Sequence, residues 1–157
     1  MRILSRSALA LCTCLAVASP ALAADKKPAA TKAKPALVTM SPDELTWTPN
    51  PAAPDQVSMA TVWGDPAKGP HGAFHKFKAG FTAPLHSHSS DIRFAVVSGT
   101  MTLASEGGSA KKLPVGSYAF QPHGVKHVTG CEAGSDCVIF AVAAGKFDFI
   151  AADAKKK

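Results

Sequence analysis

No stretch of this sequence is apolar for long enough to cross a bilayer as a helix, which takes about 20 residues. The apolar run from Ala8 to Val17 falls well short of that. No segment carries a sustained 3.6-residue apolar period, which excludes helical bundles and coiled coils. There is no phosphate-binding glycine loop and no internal repeat, so neither a nucleotide fold nor a solenoid is supported. Charge is scarce where it would matter. The formal net charge of +6 gathers at the two ends. Residues 36–152 hold eight Lys and Arg against nine Asp and Glu, a net of −1. The high pI is therefore no argument for a nucleic-acid partner.

What is present begins with a leader. Arg2 and Arg6 precede the apolar run, and Ala21-Leu22-Ala23 has the small-x-small form of a cleavage site. Residues 1–23 read as a signal peptide cleaved after Ala23, with no stable membrane span afterwards and a periplasmic or secreted product. Residues 24–35 are rich in Lys, Ala and Pro and read as a flexible tether. Residues 153–157 read as a basic tail. Between them, residues 36–152 are enough for one domain.

That segment is built of short strand-like pieces. Ala36 to Met40 reads as an edge strand, followed by a turn at Ser41 to Glu44. Val57 to Trp63 alternates, with Val57, Met59, Thr61 and Trp63 on one face. Gly72 to Lys78 sets His75 and Phe77 against Lys76 and Lys78. Further strands are expected over 93–98, 100–104, 117–121, 136–143 and 147–150. Strands at eight- to twelve-residue spacing, separated by Gly and Pro, give an all-β sandwich or barrel.

The histidines carry the chemistry. His86 and His88 are two residues apart in a strand-like segment, so they project to one face, roughly 6–7 Å apart along the chain. Neutral imidazole is the commonest ligand for transition metals. A third histidine, His127, follows the turn Pro122-His123-Gly124.

These two stretches resemble the two motifs of the cupins. Gly80, His86, His88 and Gly99 match the spacing of the first motif. Gly116, Pro122, Gly124 and His127 match the second. The resemblance covers about residues 57–150. It implies a single-domain cupin, a double-stranded β-helix or jelly-roll barrel, with His86, His88 and His127 holding one divalent ion inside. Fe, Mn, Ni, Cu and Zn all suit such donors. It also implies a small-molecule ligand or substrate, and a homodimer is among its options.

The chain departs from the pattern at one ligand. The motif's glutamate falls on Ile92, which cannot bind metal. Three readings stay open. Three histidines and water complete the site; or His75, Asp91 or Gln121 supplies a fourth donor; or the barrel is metal-free and holds an apolar molecule or plays a structural part. Asp91 has the opposite parity to the histidines and needs a bulge to reach them. If the protein is an enzyme, the resemblance points to a three-histidine iron dioxygenase-type oxidoreductase. The competing class is a binding module without turnover.

Cys12 and Cys14 fall in the leader. Cys131 and Cys137 remain, and in an oxidising compartment they are expected to pair as a disulfide. Cys131 also takes the last motif position, leaving a soft metal ligand as its competing role. Tyr118, Phe120, Phe94 and Phe140 are expected to pack in the core, and His71 to be solvated.

Overall fold

The computed structural model describes residues 36–152. The expected signal peptide, tether and basic tail lie outside the described residues. No helix among the described residues is long and apolar enough to cross a membrane.

Among the described residues the first element is a 3-10 turn, Pro42–Glu44, held by Ser41 and Glu44 bonding across it. Eleven strands follow among the described residues: β1 (Thr48–Pro49), β2 (Val57–Gly64), β3 (His71–Phe77), β4 (His86–Ser87), β5 (Ile92–Ser98), β6 (Met101–Ser105), β7 (Lys111–Leu113), β8 (Tyr118–Gln121), β9 (His127–Cys131), β10 (Cys137–Ala143) and β11 (Ile150–Ala151). They form two antiparallel sheets. One has the order β1-β2-β3-β10-β5-β8 and the other β11-β4-β9-β6-β7. All-β architecture in two facing sheets is the cupin jelly roll that the motifs imply.

Alternation decides which residues enter the core. On β5, Ile92, Phe94 and Val96 are buried while Arg93, Ala95 and Val97 are exposed. On β10, Ile139, Ala141 and Ala143 face inward in the same way. β3 contributes Ala73, His75 and Phe77. Met101, Leu113 and Ala119 close the cluster. Each large apolar side chain removed from water here contributes about 1.5–3 kcal/mol.

The turn between β5 and β6 needs Gly99. Its φ is 71°, a left-handed conformation that L side chains rarely adopt. A Cβ there would also lie 2.8 Å from the Cys137 sulfur. Cys131 and Cys137 are joined by a disulfide, which ties the end of β9 to the start of β10. Both sulfurs are therefore committed, and Cys131 is not a metal ligand.

Several expectations are corrected. Residues 36–40 form no strand and are exposed. The face assigned to β2 does not persist, because the β2–β3 register shifts between Thr61 and Trp63. Val57 and Ala60 are the buried pair, and the Trp63 indole lies over Gly72, where a Cβ has no room. Tyr118 and Phe120 face outward, since β8 turns Ala119 and Gln121 inward. Phe120 packs under the Arg93 guanidinium at 4.3 Å, so Arg93 is engaged on the surface. His71 is buried, and its Nδ1 donates to the Gly69 carbonyl at 3.0 Å.

Candidate metal centre

The two histidine-bearing strands are neighbours. β4 pairs antiparallel with β9, and the register sets His86 directly opposite His127. His88, two residues on, keeps the same face as His86. The link between the motifs is a main-chain bond: the Gly124 amide in the Pro-x-Gly turn donates to the His88 carbonyl at 2.8 Å. That turn uses Gly124 at φ 72°.

The result is a buried trio. One ring nitrogen from each of His86, His88 and His127 lies within 4.8 Å of the others. Ring centroids are 5.0 Å apart for His86 and His88, 4.4 Å for His86 and His127, and 5.2 Å for His88 and His127.

The opposite edge of each ring is held by main chain. Nδ1 of His86 donates to the Pro84 carbonyl at 2.8 Å, and Nδ1 of His127 to the Val125 carbonyl at 2.9 Å. Nδ1 of His88 donates to the Asp148 carbonyl at 2.6 Å. A carbonyl has no proton to give, so each Nδ1 carries the hydrogen. The lone pair is then on Nε2 in all three rings. Such back-side bonds fix the tautomer and orientation of metal-binding imidazoles. Nε2 of His127 is buried and makes no hydrogen bond among the described residues. An unpaired buried polar atom costs roughly 1–3 kcal/mol, and a bound cation removes that cost. The donor set thus fits a divalent transition metal.

Electrostatics favour the neutral form. Burial lowers the pKa of His86 to about 4, opposed by its bond to Pro84 and reinforced by His127 and His88. Burial also lowers His88 and His127. Neutral imidazoles are the metal-binding state.

A cavity of about 280 Å³ opens beside the trio, between the sheets. Its wall is mostly apolar, with Phe77, Phe94, Ile139, Phe147 and Phe149 prominent. Ile92 lines it too, so the residue at the motif's glutamate position faces the interior and brings no charge. No Asp, Glu, Lys or Arg lines the cavity among the described residues.

Of the other proposed donors, His75 and Asp91 fall outside the metal-capable group. His75 is buried in the cavity wall, against Phe147 at 5.4 Å. Asp91 faces out, as its parity requires, and its Oδ1 accepts from the amide and Nδ1 of His123, each at 2.9 Å. Gln121 lines the cavity, and its Nε2 donates to Thr129 Oγ1 at 3.3 Å.

The sequence reading missed Phe147 and Phe149. Phe149 stacks on His86 at 4.3 Å, and Phe147 lies 5.5 Å from His88. Their signal was the apolar alternation Phe147-Asp148-Phe149, although the strand expected over 147–150 begins only at Ile150.

Comparison with known proteins agrees with the fold. The sequence matches the family described as "Domain of unknown function (DUF4437)" over residues 15–150. The chain belongs to the DUF4437 family. No curated protein matches it in sequence. Among solved structures, the DUF4437 chain is similar to the polyketide cyclase RemF from Streptomyces resistomycificus, with a TM-score of 0.63 and 16% identity, covering 77% of this chain and 89% of that one. It is similar to an RmlC-like cupin protein from Ralstonia eutropha JMP134, with a TM-score of 0.61 and 20% identity over 76% and 74% of the two chains. The DMSP lyase DddQ from Ruegeria pomeroyi DSS-3 gives a TM-score of 0.59 and 15% identity over 73% and 64%. At these identities the likeness establishes the cupin fold of this DUF4437 protein and nothing about its reaction.

Proposed function

We propose that this protein is an exported cupin that holds one divalent metal ion through His86, His88 and His127 and presents it to a small, largely apolar molecule. The observation that carries the reading is the set of three Nδ1–H bonds to main-chain carbonyls, which leaves three unprotonated Nε2 atoms on one buried cluster. The disulfide supports export, since such bonds persist in oxidising compartments.

Three neutral ligands leave the full ionic charge in place, so the ion would act as a Lewis acid toward an anionic oxygen donor. The chain's part is different. Phe149 stacks on His86 and Phe147 lies beside His88, giving the cluster apolar neighbours. The cavity wall holds the apolar body of the guest. No carboxylate lines the cavity among the described residues, so the chain supplies no acidic general base there. Oxidation by dioxygen at iron is accordingly the reaction class to test first, and a binding module is its competitor.

The test is elemental analysis of protein purified without chelator or added metal, beside a His127→Ala variant. About one equivalent of transition metal is expected in the native protein and under a tenth of that in the variant. Native protein that carries no metal and takes up none of Fe, Mn, Ni, Cu or Zn would sink the reading. Oxygen uptake by the iron form against thiols and diketones then separates oxidase chemistry from binding alone.

A further inference from the structure

His75 is the polar residue that the proposed metal site leaves unused. It sits on β3, in the six-stranded sheet, whereas His86 and His127 belong to the five-stranded sheet across the cavity and His88 directly follows β4. It is 6% exposed and lines the cavity. Its neighbours on the wall are rings: Phe77 stacks on it at 6.4 Å and Phe147 tilts against it at 5.4 Å. Among the described residues, neither of its ring nitrogens makes a hydrogen bond to the protein. Its sister on the same strand, His71, does bond to a carbonyl. Neither of its nitrogens is among the fully enclosed unpaired atoms, so both are open to the cavity that His75 lines.

We infer that the cavity is a binding site for a small molecule with a flat or compact apolar body and an oxygen function at each end. One end lies at the histidine trio and the other is hydrogen-bonded by His75. The size follows from the volume of about 280 Å³, at the lower limit for ligand pockets. The apolar body follows from the wall, which carries no charged side chain. The polar end at His75 follows from an imidazole that offers one donor and one acceptor to the cavity and has no protein partner. Burial foremost, with His71 and His88 nearby, holds His75 near a pKa of about 4, so it is neutral and keeps both capacities at neutral pH. Phe147 stands between the two poles, 5.4 Å from His75 and 5.5 Å from His88, and offers a ring on which a planar body can stack. Only the trio end of this inference rests on the proposed metal site; the His75 end stands without it.

The experiment uses two fluorescent probes, naphthalene and 1,5-dihydroxynaphthalene, titrated into wild type, His75→Phe and His75→Gln. Each protein is measured after chelator treatment and again after loading with Zn(II). Phe keeps the ring shape and removes the polar atoms. The diol is expected to bind His75→Phe about tenfold more weakly than wild type, in both metal states, for the loss of one hydrogen bond to a buried group. Naphthalene binding is expected to change less than about twofold, which also shows that the cavity is intact. His75→Gln, which keeps a donor and an acceptor, is expected to recover part of the loss. Equal diol affinity in wild type and His75→Phe overturns the inference, as does an equal weakening of both probes. Zinc that fails to tighten the diol in wild type overturns the metal reading instead, and leaves the His75 comparison in chelated protein to stand by itself.

Discussion

Nδ1 of His88 donates to the main-chain carbonyl of Asp148 at 2.6 Å, joining residues sixty apart in sequence. The same residue's Oδ1 accepts from the Ser89 amide at 2.8 Å. One residue of the C-terminal strap therefore fixes both the ring of His88 and the chain just after it. The strap is otherwise held by the two-residue pairing of β11 with β4 and by the amides of Phe147 and Ala152, which donate to Pro66 and Leu85. An Asp148→Ala variant keeps the carbonyl and loses the side-chain anchor. Back-side partners of metal-bound histidines typically affect affinity by 10–100-fold. Asp148→Ala is expected to weaken Zn(II) binding by about tenfold in a chelator competition, with the melting temperature of the chelated protein lowered only slightly. An affinity within twofold of wild type would contradict this coupling.

The buried histidines set a pH dependence. His75 and His86 are held near a pKa of about 4, and His88 and His127 are also lowered, in each case chiefly by burial. In the unfolded chain all four return to the ordinary value near 6.5. The unfolded state then binds more protons below that pH, so stability falls as the pH drops from 6.5 toward 4 and is at its maximum above 6.5. His75 and His86 each contribute on the order of 2–3 kcal/mol to this loss by pH 4.5. Chelated protein is expected to melt at a markedly lower temperature at pH 4.5 than at pH 7.5. His75→Phe, which cannot titrate, should show a shallower decline. Identical melting at both pH values would refute the assignment.

Much of this was readable in the residues, for identifiable reasons. The histidine trio was legible because a strand's period of two puts His86 and His88 on one face, and because the second motif pins His127 relative to Gly124. Ile92 was placed inside for the same reason, and Asp91 outside. The choice of face on β8 was not legible. Tyr118 and Phe120 alternate with Ala119 and Gln121, and hydrophobicity favours the rings for the interior. The fold turns the smaller Ala119 inward and sets Gln121 beside Thr129, while both rings go to the outer face, Phe120 against Arg93. The β2 face failed at Trp63 because a register shift after Thr61 reverses parity there, a feature with no residue signature at Val62. His71 was misjudged because its partner is a carbonyl two residues away, which no spacing rule reveals.

The disulfide closes a short loop, with a sequence separation of 6, between β9 and β10. Cys137 is fully buried against Thr100 and the Gly99 turn. Loop-closure entropy for a ring of this size is worth roughly 2–3 kcal/mol. A Cys131→Ala, Cys137→Ala double variant is expected to unfold with about 2 kcal/mol less free energy in urea, while retaining metal, since the trio stands on β4, the residue just after it and the first residue of β9. Thiol counting on denatured protein beginning at Ala24 is expected to find no free cysteine. Two reactive thiols in that protein would contradict the bond.

Ile92 is the place where the chain's own chemistry is most open to change. It is buried on β5, opposite Gln121 in the neighbouring strand, and lines the cavity that His86 and His88 also reach. Replacing it with glutamate introduces an acidic donor where the cupin motif has one. Without metal, that carboxylate is buried in an apolar wall with no cation near it, at a cost of several kcal/mol or a strongly raised pKa. With metal, it gains a partner of opposite charge. Ile92→Glu is therefore expected to lower the melting temperature of the chelated protein at neutral pH by about 10 °C or more, for a loss of roughly 2–3 kcal/mol. Adding Zn(II) or Mn(II) should recover most of that loss, a larger metal-induced shift than wild type shows. The comparison also reads out where the ion sits. A shift no larger than that of wild type would mean that the glutamate does not reach the ion, and would place the metal away from the β5 wall.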